Sequence, residues 1–232
     1  MRFDIITIFP KIFDSYFKES IIKRARQRKL VKINIHNLRD YANDKRKTVD
    51  DRPYGGGFGM VLMVEPISRA VQAIKKKSRF SGRRRTARQK VILLSAKGKK
   101  FDQSMARRLA KLDQLILVCG RYEGVDERIA RYVADEEISI GDYILTGGEL
   151  PAMVIIDTVS RLIPGTIADG SLEEESFAEN DKYKEYPHYT RPETIIIDGK
   201  KRNVPKTLLS GNHQKIKEWQ KKHSKYFKRA SF

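Results

Sequence analysis

The stretch LILVCGRYEG, residues 115–124, joins five consecutive apolar residues to a turn that begins and ends with glycine. An apolar run of this length is typical of a buried strand. Two other segments have the same form: 90–95 leads into Ser95-Ala96-Lys97-Gly98, and 137–140 leads into GDYILTGG, residues 141–148. The carboxyl ends of parallel strands form a ligand crevice, and glycine there lets the backbone approach a ligand closely. The three turns together therefore predict a cofactor pocket, the alternative being ordinary tight turns between strand and helix.

Apolar β-type runs alternate with amphipathic stretches through most of the chain. This alternation predicts an α/β fold with a mainly parallel sheet. The predicted strands are 3–8, 32–36, 90–95, 115–119 and 137–140. The predicted helices are 12–29, 66–77, 102–112, 126–134 and 148–162, with Asp126 as an N-cap.

The pattern changes after Pro164-Gly165, where a polar, acidic stretch begins. We expect a first domain over residues 1–165, a linker over 166–185 and a second domain over 186–232, in which 213–223 has helical spacing. Residues 41–59 form a polar, glycine-rich loop, and we interpret its segment 55–59 as a mobile lid, the alternative being a cradle for a phosphate. Residues 78–89 form a basic insertion that an anion would order.

The charge is strongly positive and unevenly distributed. The net charge is +19: residues 1–90 contribute +16, residues 91–180 contribute −6 and residues 181–232 contribute +9. Basic ends around an acidic middle predict a polyanionic partner such as a nucleic acid, although a solvated lysine-rich surface would give the same totals.

The cysteine and histidine content and the hydropathy further limit the kinds of protein that this sequence can be. Cys119 is the single cysteine and lies in an apolar run, which indicates a buried thiol in a reducing cytoplasm. The four histidines lie far apart, so no zinc site is expected. No segment resembles a signal peptide or a membrane span, and we expect no membrane association.

Five blocks in fixed order carry a resemblance over nearly the whole chain: DDRPYGGG (50–57), LVCGRYEG (117–124), SIGDY (139–143), GGELPAM (147–153) and PHYTRP (187–192). They closely resemble the bacterial tRNA (guanine-N1)-methyltransferases of the SPOUT superfamily. The resemblance implies a SPOUT-type parallel sheet with a deep trefoil knot, a small helical C-terminal domain that binds tRNA, and a homodimer with active sites at the subunit interface. It also implies methyl transfer from S-adenosylmethionine to N1 of the guanosine immediately 3′ of the anticodon.

The resemblance assigns S-adenosylmethionine contacts to all three glycine turns. By position these are Leu94, Ser95, Gly120, Tyr122, Glu123, Ile140, Gly141, Tyr143, Leu145, Gly147, Gly148 and Pro151.

Methylation at N1 requires a general base, because guanine N1 carries a proton at neutral pH. It also requires a cation near O6, where negative charge develops. Arg161 matches the family's catalytic arginine, against the alternative of a surface arginine on a helix. Alignment on Ser176-Phe177 places Glu175 where the nearest family members have an aspartate, with Glu174 as the second choice. A solvated acidic linker is the alternative for both glutamates.

The resemblance and the basic ends also predict an RNA-binding set. It comprises Arg52, Tyr54, Arg83, Arg84, Arg85, Tyr189, Lys206, His213 and Lys215. Tyr54, Tyr189 and Phe58 would stack on an unpaired base, or else are core residues. The resemblance leaves a magnesium requirement open, and the sequence has no obvious cluster of metal ligands. The competing functions are a non-catalytic RNA-binding protein and a SPOUT methyltransferase acting at another RNA site.

Overall fold

A five-stranded, all-parallel sheet forms the centre of the N-terminal part of the protein. The computed structural model describes residues 1–79, 88–168, 170–171, 175–177 and 183–226, and its contacts divide the chain into two compact units, Met1–Ala168 and Asp169–Phe232. The strands of the first unit are β1 (Arg2–Thr7), β2 (Lys32–Asn37), β3 (Asp50–Asp51), β4 (Val61–Leu62), β5 (Gln89–Lys100), β6 (Gln114–Cys119) and β7 (Glu136–Ser139). The sheet has the order β2-β1-β6-β5-β7. The predicted α/β fold with a parallel sheet is confirmed.

Strand β6 shows why the run 115–119 is apolar throughout. Its residues are all buried: Leu115 and Leu117 pack into one hydrophobic cluster, and Ile116 and Val118 pack into a second cluster on the other face of the sheet. Strands of a parallel sheet that is covered on both faces need apolar side chains at every position. Each such side chain contributes about 1.5–3 kcal/mol to folding. Cys119 is buried in the first cluster, as predicted.

Five α-helices accompany the sheet in the described part of the first unit: α1 (Ser20–Gln27), α2 (Val64–Arg79), α3 (Gln103–Ala110), α4 (Glu127–Tyr132) and α5 (Glu149–Arg161). The last four agree with the predicted helices to within a few residues. Asp126 is the N-cap of α4 and accepts a hydrogen bond from the backbone N–H of Arg128, as predicted. Asp102 caps α3 in the same way.

The prediction of one continuous helix over 12–29 is wrong. The chain forms two 3₁₀ turns, Pro10–Phe13 and Tyr16–Lys18, before α1 begins. Glu19 is extended, with φ −121° and ψ 159°, and Ser20 has φ 47°, so the backbone cannot remain helical between Lys18 and Ile21. Phe13 and Phe17 are buried and stacked, with ring centroids 5.5 Å apart. Their packing in the core sets the local path of the chain.

The glycine-rich stretch 41–59 contains more regular structure than predicted. Tyr41 is the last residue of a 3₁₀ turn, Leu38–Tyr41, and β3 pairs antiparallel with β4, which leaves the loop 52–60 between the two strands. Four glycines of this loop have positive φ. That backbone conformation is one that glycine adopts readily.

The second unit contains helices and short strands. They are β8 (Tyr183–Lys184), β9 (Thr194–Ile197), β10 (Lys200–Asn203), α6 (Lys206–Leu209), α7 (His213–His223) and β11 (Lys225–Tyr226). β9 and β10 form a hairpin, and β8 pairs antiparallel with β11. The predicted helix 213–223 is confirmed. The strands of this unit were not predicted, because they are too short to give a periodic signal.

The described residues contain neither a candidate membrane span nor a cluster of metal-binding side chains. None of their helices is both long and apolar enough to span a membrane. Nor do three or more of their His, Cys, Asp and Glu side chains gather as a metal site requires.

Candidate functional site

A cleft of about 370 Å³ lies at the carboxyl ends of β5, β6 and β7. Its walls come mainly from three turns: residues 95–97, where β5 leaves the sheet after Leu94, residues 120–125 after Cys119, and residues 140, 141 and 143–148 after Ser139. This volume is in the range of pockets that hold small organic ligands. The cleft occupies the position where open parallel sheets bind ligands, outside the strand ends.

All twelve residues predicted to contact the cofactor line this one cleft. They are Leu94, Ser95, Gly120, Tyr122, Glu123, Ile140, Gly141, Tyr143, Leu145, Gly147, Gly148 and Pro151. The structure therefore brings together the full set that the sequence singled out, and their role as ligand contacts stays a prediction.

The first turn is formed by an excursion of β5. Ile138 of β7 pairs with both Leu94 and Lys99, so residues 95–98 leave the ladder between two pairings with the same strand. A Cβ on Gly98 would lie 2.4 Å from the backbone nitrogen of Ile138. Only glycine permits the returning segment to approach β7 this closely.

The second and third turns meet where α5 begins. The backbone N–H of Gly148 donates to the carbonyl of Gly120 over 2.9 Å, and a Cβ on Gly148 would lie 2.7 Å from Cys119 Cα. A Cβ on Gly147 would lie 2.3 Å from Arg121 Nε. The end of β6 and the start of α5 are thus in direct backbone contact, and the cleft wall here is made of main chain.

The third turn is closed by its own hydrogen bonds. Ser139 Oγ donates to the carbonyl of Gly141 over 2.9 Å, and the hydroxyl of Tyr143 donates to the carbonyl of Ile140 over 3.3 Å. Lys100, on the returning part of β5, forms an ion pair with Asp142. The turn is held from both sides, while Ile144 at its tip is largely exposed.

A buried ion pair that the sequence analysis missed joins the second turn to the third. Glu149 is 2% exposed and accepts hydrogen bonds from Thr7 Oγ1 (2.7 Å) and Arg121 Nε (2.9 Å). Arg121 also donates to the carbonyl of Thr146 and lies 4.7 Å from the centroid of the Phe9 ring. Arg121 and Glu149 lie inside two of the blocks that carry the family resemblance, LVCGRYEG and GGELPAM. Their separation of 28 residues gave no indication that they are in contact.

The glycine-rich segment is attached to the second turn at its base. Glu123 N–H donates to the carbonyl of Met60, and Leu62 N–H donates to the carbonyl of Gly124. Burial raises the pKa of Tyr122, and a hydrogen bond with Asp50 adds to this effect. Strands β3 and β4 therefore lie against the cleft, and the loop 52–60 projects from them.

The aromatic residues of that loop are not core residues. Tyr54 is 102% exposed and Phe58 is 96% exposed, and Arg52 is exposed on the same loop. Such exposure is typical of side chains that meet a partner. In the second unit, Tyr189 is half-exposed and packs edge-on against Trp219, with ring centroids 6.2 Å apart.

The remaining RNA-binding predictions fall in two places. Lys206 is the first residue of α6, and His213 and Lys215 lie in the first turn of α7; all three are exposed. Arg83, Arg84 and Arg85 lie outside the described residues.

The predicted catalytic residues belong to different units. Arg161 is the last residue of α5, whose N-cap is Gly148 in the cleft wall. A helix of 13 residues spans about 20 Å, so Arg161 stands far from the cleft of its own chain. Glu175 lies in the second unit and is half-buried, and Glu174 lies outside the described residues.

Known proteins are similar to this chain over nearly its whole length. The family described as tRNA (Guanine-1)-methyltransferase TrmD matches residues 1–230. The tRNA (guanine-N(1)-)-methyltransferase of Carboxydothermus hydrogenoformans is 50% identical over 97% of this chain and 83% of its own length. The Clostridioides difficile protein of the same name is 49% identical, over 97% and 92% respectively.

One solved structure is similar over most of its length. The tRNA (m1G37) methyltransferase from Aquifex aeolicus superposes with a TM-score of 0.76 at 37% sequence identity, covering 96% of this chain and 88% of that one. With a family match over nearly every residue and relatives at half identity, the chain belongs to the tRNA (guanine-1)-methyltransferase family.

Proposed function

We propose that the protein transfers a methyl group from S-adenosylmethionine to N1 of the guanosine immediately 3′ of the anticodon in tRNA. The observation that carries this proposal is the single cleft in which all three glycine turns meet. Membership of the tRNA (guanine-1)-methyltransferase family supplies the reaction class.

The cleft suits S-adenosylmethionine in volume and in lining. Gly141, Gly147 and Gly148 leave no room for a Cβ, because Tyr143, Arg121 and Cys119 lie against them, so the turns can pack closely around the cleft. Leu94 and Pro151 add apolar surface for an adenine ring. When bound, S-adenosylmethionine supplies an electrophilic methyl group on a sulfonium sulfur, a chemistry that needs no metal at the transferred carbon.

Two side chains perform the proton and charge chemistry on guanine. The carboxylate of Glu175 accepts the proton from N1, which frees the nitrogen lone pair for the methyl group. The guanidinium of Arg161 donates to O6, where the negative charge of the deprotonated base accumulates. Glu174 is the second choice for the base, and matched Glu175→Gln and Glu174→Gln variants distinguish the two.

The distance of Arg161 from its own cleft supports a homodimer. In a pairing where two copies of α5 run antiparallel, the Arg161 end of one helix lies beside the Gly148 end of the other. An exposed apolar face is available for this contact: Leu150 and Val154 on α5, with Phe9, Ile12 and Tyr16 from the adjoining 3₁₀ segment. Each active site would then contain residues of both subunits.

The finer assignments follow from the same proposal. We assign residues 1–165 to a SPOUT-type domain with a deep trefoil knot that binds S-adenosylmethionine, 166–185 to a linker and 186–232 to a helical C-terminal domain that binds tRNA. Arg52, Tyr54, Arg83, Arg84, Arg85, Tyr189, Lys206, His213 and Lys215 form the tRNA-binding set. We also propose a cytoplasmic location, which a tRNA substrate and the lone buried Cys119 support. Assays with EDTA and with added magnesium decide whether the metal takes part.

The test is incorporation of labelled methyl from S-adenosylmethionine into two tRNA transcripts. One transcript carries guanosine immediately 3′ of the anticodon, and the other carries adenosine there. We expect label in the first transcript alone, mapped to N1 of that guanosine. Label in both transcripts would indicate a methyltransferase of another RNA site, and label in neither, with tRNA bound, would indicate a non-catalytic RNA-binding protein.

A further inference from the structure

A second concavity lies beside β2, at the edge of the sheet opposite the cleft. Its cavity volume is about 530 Å³, and it shares no residue with the cleft. We call it the basic groove. Its lining residues are Lys18, Lys23, Arg26, Gln27, Val31, Lys32, Ile33 and Asn34. Four of the eight are cations and none is a carboxylate.

The positive charge of the groove is poorly compensated. Residues 18–32 contain seven Lys and Arg and one Glu. Lys18 makes only an exposed, 3.6 Å pair with Asp14, and within the described residues Lys23 and Lys32 form no ion pair. Like charges that converge without counter-charges repel one another and attract anions. A bound polyanion would relieve this repulsion.

Fixed polar groups accompany the cations. The guanidinium of Arg26 donates to the carbonyl of Phe17 over 2.7 Å, which holds its side chain along the groove. The Lys32 N–H donates to the carbonyl of Met1, on the β1 side of the strand. Successive N–H groups of a strand point to opposite sides, so the N–H of Ile33 points to the open edge of the sheet. Asn34 donates its amide to Asp4 over 2.9 Å, and Asp4 is itself fully buried.

The kind of anion follows from the surroundings of the groove. Of the three apolar residues of α1, Ile22 and Ala25 are buried and Ile21 is half-buried, so the helix has no fully exposed apolar side chain to insert into a membrane. The cations are long, exposed side chains spread over a 3₁₀ turn, a helix and a strand. Such a distribution matches the repeated phosphates of a nucleic-acid backbone, which are contacted without regard to sequence.

We propose that the basic groove binds the phosphodiester backbone of tRNA, away from the base that enters the cleft. The proposal rests on the proposed function, because it takes tRNA as the substrate. It adds a contact outside the predicted RNA-binding residues, on the face of the first unit that belongs to β2 and α1.

The test compares two triple variants of the full-length protein. The first is Lys23→Gln, Arg26→Gln, Lys32→Gln in the groove. The matched control is Lys76→Gln, Lys77→Gln, Lys111→Gln, which removes three exposed cations elsewhere. The dissociation constant for unmodified tRNA is measured from 50 to 300 mM salt, and thermal unfolding checks that both variants fold.

We expect the groove variant to bind tRNA several-fold more weakly and to lose about 1–3 from the slope of log K against log salt, since each phosphate contact contributes roughly 0.7–0.9. The control keeps the wild-type slope, and both variants keep the wild-type affinity for S-adenosylhomocysteine. A groove variant with the control's slope overturns the proposal. So does competition by 10 mM inorganic phosphate at constant ionic strength, which would indicate a small-anion site.

Binding is measured without catalysis, so the two proposals fail separately. Wild-type protein that binds tRNA but transfers no methyl overturns the proposed function, and the slopes still decide on the groove. Wild-type protein that does not bind tRNA overturns the groove proposal.

Discussion

Replacing Gly148 by alanine perturbs the contact on which the cleft is built. The new Cβ would lie 2.7 Å from Cys119 Cα, 3.0 Å from Gly120 N and 3.1 Å from Cys119 Cβ. The neighbours belong to Cys119, the last residue of β6, and to Gly120 after it, and two of the three are backbone atoms that cannot rotate away. The start of α5 and the end of β6 must therefore separate by several tenths of an ångström, which weakens the hydrogen bond between Gly148 and Gly120.

Overpacking of this kind costs about 1–3 kcal/mol. For a chain of 150–250 residues, 1 kcal/mol corresponds to about 2–4 °C in Tm, so we expect Gly148→Ala to unfold roughly 2–12 °C lower than wild type. Separation of two turns of the cleft also lowers the affinity for S-adenosylhomocysteine. Thermal unfolding and isothermal titration calorimetry measure the two effects.

Gly120→Ala is the matched control, because the Cβ that it adds would not clash with any protein atom. The nearest atoms are Leu94 O at 3.5 Å and Val125 Cγ1 at 3.9 Å, both ordinary contacts. Leu94 and Val125 also line the cleft, so the added methyl projects into it. We expect an unchanged Tm with an affinity lower by about tenfold, or roughly 1.4 kcal/mol. A Gly148→Ala protein as stable as Gly120→Ala, with wild-type affinity, would refute the reasoning.

Three further predictions concern catalysis, assembly and acid stability. Arg161→Ala should lower kcat by about 10²–10³ through loss of charge stabilisation at O6, with unchanged S-adenosylhomocysteine affinity; weaker binding of that ligand would place Arg161 in the cleft instead. Mixing inactive Arg161→Ala and Glu175→Ala proteins should restore part of the activity through hybrid dimers, and no recovery after subunit exchange would count against a shared site. Burial by itself raises the pKa of Asp4, but hydrogen bonds from His36, Arg2 and Asn34 outweigh it and lower the pKa from 3.8 to about 2. The lowered pKa contributes about 2 kcal/mol to the free energy of unfolding above pH 4, and this contribution is lost as the pH falls toward 2. In urea unfolding, Asp4→Asn should therefore be less stable than wild type by a smaller margin at pH 3 than at pH 7. An equal margin at both pH values would contradict this.

The sequence predicted those features that local chemistry determines. The run 115–119 is apolar at every position, without the polar and apolar alternation of a half-exposed strand. This pattern indicated a buried strand, and both faces of β6 are indeed buried. The three turns were expected to meet because carboxyl ends of parallel strands share one edge of a sheet. The twelve residues that the family resemblance assigned to the cofactor all line this one cleft, which the three turns form.

Features that depend on distant pairing could not be predicted. Residues 95–98 leave the ladder because Lys99 pairs again with Ile138, and no local pattern encodes a second pairing with the same strand. The buried carboxylate of Glu149 accepts a hydrogen bond from Thr7, which is 142 residues away in the chain. The cations of residues 18–32 were visible as charge, but their arrangement around one concavity depends on the fold, which brings residues of a 3₁₀ turn, α1 and β2 together.

The most direct test of the central claim is a crystal structure of the protein with S-adenosylhomocysteine. We expect the ligand in the cleft between the turns after β5, β6 and β7, with its adenosine against the backbone of residues 140–148 and a second subunit packed on α5. Ligand bound elsewhere, with these three turns closed upon one another, would contradict the account.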